Sequence, residues 1–195
     1  DVYKRQGANP TPIKPHEYPL HAVRFVQYFL SMPFELERTY YNDTPGLART
    51  LTEHGITVLD NQSVHLKQEI EPGRNVDLYM AGVDDVSEGQ PDLHKAYQGV
   101  PEDAPVVLLS HNPDILEEPE SRRADVILSG HTHGGQINLP LIGAAHTHSA
   151  HLGRREAAGY LKRDKTHVYI SRGVGEGIPL RFRAGPQITL ITIHS

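Results

Sequence analysis

The stretch that most restricts this chain is Asp125-Val126-Ile127-Leu128 running into Ser129-Gly130-His131-Thr132-His133-Gly134-Gly135-Gln136. A short apolar run of this kind reads as a buried strand, and here it enters a glycine-rich loop without a break. Two histidines one residue apart at a strand end can turn both imidazoles toward one centre. Neutral imidazole is the commonest protein metal ligand. Glycines on both sides let the backbone bend and leave space for an ion and a substrate. A bare His-x-His fits a solvated loop equally well, and the flanking glycines are what favour a site.

A second segment repeats the arrangement. Val106-Val107-Leu108-Leu109-Ser110 reads as a strand and delivers His111 at its end, followed by Asn112-Pro113-Asp114. Pro113 suits the first turn of a helix, with Asn112 as its cap. In α/β sheets the carboxyl ends of strands are where sites form. Upstream, Thr44 reads as the cap of a helix with Pro45 at its first position and Gly55 as its stop. Ile56 to Leu59, Val64 to Leu66 and Asn75 to Val83 read as strands, and Pro91 to Tyr97 as a short helix. His167 to Ser171 and Gln187 to Ile193, rich in β-branched residues, read as late strands. Strands alternating with helices give an α/β chain.

The two histidine segments together resemble the last two metal motifs of the calcineurin-like metallophosphoesterases. Gly82-Val83-Asp84-Asp85, Tyr169-Ile170-Ser171-Arg172-Gly173-Val174-Gly175 and Pro179-Leu180-Arg181-Phe182 resemble a bacterial branch of that family, one of phosphodiesterases and lipid-precursor pyrophosphatases. The resemblance implies a two-sheet sandwich with outer helices and a site for two divalent metal ions (Mn, Fe, Zn or Co). His111 and His131 would bind one ion and His133 the other. Asn112, Gly130, Thr132, Gly134, Gly135 and Gln136 would surround them, orienting ligands or substrate. The implied substrate is a phosphate ester, either a small molecule or a lipid or cell-wall intermediate.

The family's N-terminal motifs, Asp-x-His, Gly-Asp and Gly-Asn-His, would supply the other ligands and the catalytic histidine, and we expect no counterpart of them here. Asp1 to Gln6 reads as a non-native join, and residues 7–43 as a helical segment or insertion, with His21 to Leu30 as one amphipathic helix. Residues 44–195 then form the C-terminal part of a domain whose first part is missing, and the chain by itself is expected to be inactive. The alternative is an inactive metal-binding or interaction module of the same fold. Loss of the first part should leave the two histidine-bearing strands without a neighbour.

Composition excludes several classes. Without cysteine there is no disulfide and no thiolate zinc site. No apolar run reaches the roughly 18 residues of a membrane span. Residues 150–195 carry eight Lys/Arg against three Asp/Glu, so the chain's net charge of −5 comes from upstream. That basic third suits an anionic substrate. It has no interleaved aromatics, so nucleic acid is not indicated. Asp84-Asp85 reads as a strand-end turn with solvated carboxylates, and Gly173 to Gly177 as a glycine-shaped turn near the site. His146, His148 and His151 read as ordinary loop histidines. A metallo-β-lactamase pattern is ruled out because Gly135 and Gln136 stand where its Asp and His are required.

Overall fold

The computed structural model describes residues 43–147, 149, 151–175 and 181–193. The segment 7–42 and His148 lie outside them. Helix α1 is Thr44–Glu53. Its cap is Asp43, one residue earlier than expected, whose carboxylate accepts from the Gly46 amide at 2.9 Å. Gly55 ends it as predicted, at φ 78°. Then come β1 (Gln62–Glu71), β2 (Arg74–Gly82), the single turn α2 (Leu93–Ala96), β3 (Val106–Leu109), and two 3₁₀ turns, Pro113–Glu117 and Pro119–Arg123. Strand β4 is Val126–Ser129, β5 Asn138–Leu139, β6 Gly143–Ala144, β7 Gly159–Arg163 and β8 Thr166–Ile170.

The main sheet has the order β1-β2-β3-β4-β8-β7, and β5 and β6 form a separate two-stranded ribbon. Strands β2, β3, β4 and β8 run parallel, with antiparallel hairpins closing both ends of the sheet. The mixed α/β class is as read. Two segments differ from the reading: Ile56–Leu59 and Gln187–Ile193 carry strand-like residues but enter no ladder. Composition marks them as able to pair and says nothing about whether a partner edge is present.

The histidine-bearing strands are corrected more substantially. Both β3 and β4 are interior and paired on each side. Neither therefore lacks a neighbour. Among the described residues the less covered part of the sheet is a face rather than one of its central edges. On the covered face, Ala81, Val106, Leu108, Ile127, Val168 and Ile170 form the core with Leu93, Ala96 and Ile115 from the turns above. Each such Val, Leu or Ile contributes roughly 1.5–3 kcal/mol by burial. On the opposite face Leu78, Met80, Leu109 and Leu128 are only half-buried.

Candidate metal centre

Because four strands run parallel, their carboxyl ends meet along one rim. There β2 leads to Asp84-Asp85, β3 to His111, β4 to His131 and His133, and β8 to Ser171 and Arg172. Backbone bonds continue past the strands and tie the loops together. The Ser110 amide donates to Leu128 O at 3.1 Å, Gly130 to His111 O at 3.0 Å and Ser171 to Ser129 O at 2.8 Å. Loops held this way have little freedom, which suits side chains that must meet at one point.

His111 and His131 do meet. Their ring centroids lie 5.2 Å apart, edge to face. Burial pushes the His111 pKa down to about 4, and the charge on His131 adds to this against an opposing pull from Asp85. At neutral pH His111 is therefore an uncharged imidazole.

The loop that carries the other two histidines is unusual. Five residues within it have positive φ: His131 (65°), His133 (52°), Gly134 (66°), Gly135 (77°) and Gln136 (51°). For residues with a Cβ this costs about 1–3 kcal/mol each. Thr132 anchors the loop from within: fully buried, its hydroxyl donates to Ala157 O at 2.6 Å. Gln136 is buried too, and its carbonyl accepts from the Phe182 amide at 2.8 Å. Gly135 is required by space as well as by φ, since a Cβ there would lie 2.4 Å from the Ala144 Cβ. Gly130 is not so constrained: an added Cβ would meet His111 Nδ1 at an ordinary 3.7 Å.

His133 is held differently. Its Nδ1 lies 2.7 Å from Gly175 O, a separation at which the Nδ1 proton is donated to the carbonyl. Arg181 fastens the same corner. Its guanidinium donates to Ala184 O (2.8 Å), Arg172 O (3.1 Å), His133 O (3.3 Å) and Gly175 O. Sequence reasoning gave Arg181 no role, because a clasp made to backbone carbonyls leaves no mark in the sequence of its partners.

The donors suit a metal in kind but are too few. Among the described residues no group of three or more His, Cys, Asp or Glu side chains is disposed to hold an ion. Asp84 and Asp85 do not add to the set. Both are buried rather than solvated, and both are taken up by the turn: Asp85 accepts from the Ser87 and Glu88 amides (2.8 and 2.9 Å), Asp84 from Asp85 and Gln90 (2.9 and 3.1 Å). Asn112 is buried, caps the 3₁₀ turn through Asp114 N (2.9 Å) and donates to Ser87 Oγ (2.7 Å).

One literal Asp-x-His does occur, Asp92-Leu93-His94, contrary to the expectation of none. Asp92 is the cap of α2, accepting from Lys95 N at 2.8 Å, Leu93 is core and His94 is exposed, so the tripeptide is a helix start. His146 is half-buried, its pKa lowered by burial and then by Arg154. His151 sits 3.6 Å from Glu117 on the surface. No helix among the described residues is long and apolar enough to cross a membrane.

Comparison with known proteins finds similar chains. The chain is 34% identical over 146 residues to the uncharacterized metallophosphoesterase YkuE of Bacillus subtilis, covering 74% of this chain and 49% of that protein. It is 33% identical over 147 residues to the phosphodiesterase YaeI of Escherichia coli, covering 75% and 51%. To the UDP-2,3-diacylglucosamine pyrophosphatase LpxG of Chlamydia muridarum it is 31% identical over 164 residues, covering 81% and 47%. No family model and no solved structure matches the chain. It belongs to the metallophosphoesterase family. The chain spans about half the length of the curated relatives it matches.

Proposed function

We propose that the protein containing this chain hydrolyses phosphate esters, phosphodiester or pyrophosphate bonds, at a two-metal site to which this chain contributes His111, His131 and His133. The observation that carries the reading is the pairing of two strand-end histidine loops on one rim of a chain whose relatives are named metallophosphoesterase and phosphodiesterase. Two divalent ions, if held there, would supply charge neutralisation and lower the pKa of water. The chain's own part is to hold the imidazoles in place. Burial keeps His111 unprotonated, and the Gly175 carbonyl fixes the proton of His133 on Nδ1. Thr132 and the close fit of Gly135 against Ala144 keep the strained loop from relaxing away from this arrangement.

Without a counterpart of the Gly-Asn-His motif, the 195 residues alone are expected to turn over almost nothing. In the protein that carries the family's remaining motifs, bis-p-nitrophenyl phosphate should be cleaved in a chelator-sensitive manner. His131→Ala should remove most of that activity, and wild-type turnover in the variant would refute the assignment. The incomplete donor set favours a second reading, an inactive module of the same fold. Chelator-sensitive cleavage by the complete protein would exclude it.

A further inference from the structure

Arg172 stands at the end of β8, one strand away from the loop that carries His131 and His133. Its aliphatic stem lies along Gly134. A Cβ added at that glycine would sit 3.0 Å from Arg172 Cγ and 3.3 Å from Cδ, so a side chain at 134 would press on the arginine's stem. The residue is half-buried. Its carbonyl is fixed by Arg181, and the next turn is set by Gly173 at φ 62°, with the Gly173 amide donating to Ser171 Oγ at 3.0 Å.

The ion pairs among the described residues engage other arginines, Arg74 with Glu71, Arg122 with Asp164 and Arg163 with Glu156, but place no carboxylate on Arg172. The two guanidiniums of this corner thus divide the work. Arg181 is consumed by backbone carbonyls, whereas Arg172 has its backbone fixed and its stem packed while its charge meets no carboxylate among the described residues. A half-buried cation held beside the histidine loop is a ready receptor for an anion. Guanidinium matches phosphoryl oxygens with two parallel hydrogen bonds.

We propose that Arg172 binds the phosphoryl group of the substrate, acting as the anion-recognising residue of this site. The inference rests on the phosphoester reading above for the identity of the anion, but its test does not require turnover. The 15N-labelled chain is titrated with inorganic phosphate at constant ionic strength and with chelator present, following the amides of Gly134 and Gly173. Saturable shifts are expected at both. Arg172→Gln should weaken the affinity by about tenfold, the usual worth of a hydrogen bond to a charged group. Arg172→Lys should fall between, since it keeps the charge and loses the planar fork. Arg163→Gln, which breaks the pair with Glu156 at the opposite end of the β7–β8 hairpin, should bind as wild type.

Dispersed spectra and an unchanged melting transition establish that each variant is folded. Wild-type affinity in Arg172→Gln, or no saturable shift in the unsubstituted chain, overturns the assignment. Turnover of phosphate esters by the complete protein together with Arg172-independent phosphate binding would sink this assignment and spare the hydrolase reading. Arg172-dependent binding with no turnover of phosphate esters by the complete protein would support the assignment and sink the hydrolase reading.

Discussion

Single residues decide whether the histidine loop can exist. Gly135→Ala must place a Cβ 2.4 Å from that of Ala144 while keeping φ at 77°. Overpacking and left-handed strain together should cost about 2–4 kcal/mol. Gly173→Ala has an equally left-handed backbone but open space around it, and should cost only about 1 kcal/mol. Urea unfolding of the two variants measures the difference, and equal losses would show that the contact with Ala144 is not limiting.

The same scale governs the pH response. In the metal-free chain His111 titrates near 4 when folded and near 6.5 when unfolded. Between these values the unfolded chain holds a proton that the folded chain lacks. The stability tied to the neutral ring is therefore complete above about pH 6.5 and is lost as the pH falls toward 4. The loss is at most about 3 kcal/mol, less where water reaches the ring. Unfolding free energies at several pH values with chelator present, for wild type and His111→Gln, should show a shallower slope in the variant. Identical slopes would remove His111 as the source.

At the scale of elements, local pattern and tertiary pairing separate cleanly. The strands ending at His111 and His131 were legible because they are dense in Val, Ile and Leu and are followed by loop residues. The cap at Asn112 was legible because Asn-Pro is a helix start. The order of the strands was not. Nothing in Val126–Leu128 announces that β8, some 40 residues on, completes its pairing, and so the expectation of an open central edge failed. Ile188 and Leu190 alternate with Thr189 as a strand should, yet residues 187–193 enter no ladder and both apolar side chains stay exposed, because propensity alone does not bring a segment to a partner edge. The candidate site was half visible: the histidines in the sequence, but not Arg181, nor Asn61, whose amide bridges three backbone groups. Asn61 Oδ1 accepts from Asp84 N and Asp92 N, both at 3.0 Å, and its Nδ2 donates to Gln90 O at 2.9 Å. Asn61→Ala should cost about 2–3 kcal/mol and raise amide exchange across 84–92 before the rest of the sheet. Uniform exchange in the variant would mean that this loop does not depend on Asn61.

For the whole molecule, the two faces of the sheet are unequal. One is closed by α2 and the 3₁₀ turns, while Leu78, Met80, Leu109 and Leu128 on the other are only half-covered. With Ile188 and Leu190 more than nine-tenths exposed, the 195-residue chain presents apolar surface and unpaired extended backbone together. Such a surface promotes association. Sedimentation velocity across a concentration series should show growing oligomers, reduced by Ile188→Lys with Leu190→Lys. A concentration-independent monomer would contradict this.

The central claim is that the loops after β3 and β4 form one part of a metal centre, and a Zn²⁺ titration of the 15N-labelled chain tests it most directly. Weak but saturable shifts should centre on the imidazoles and amides of His111, His131 and His133 and on Gly130, and disappear in His131→Ala. Shifts that centre instead on surface histidines such as His65, His94 or His151, or that survive His131→Ala unchanged, would contradict it.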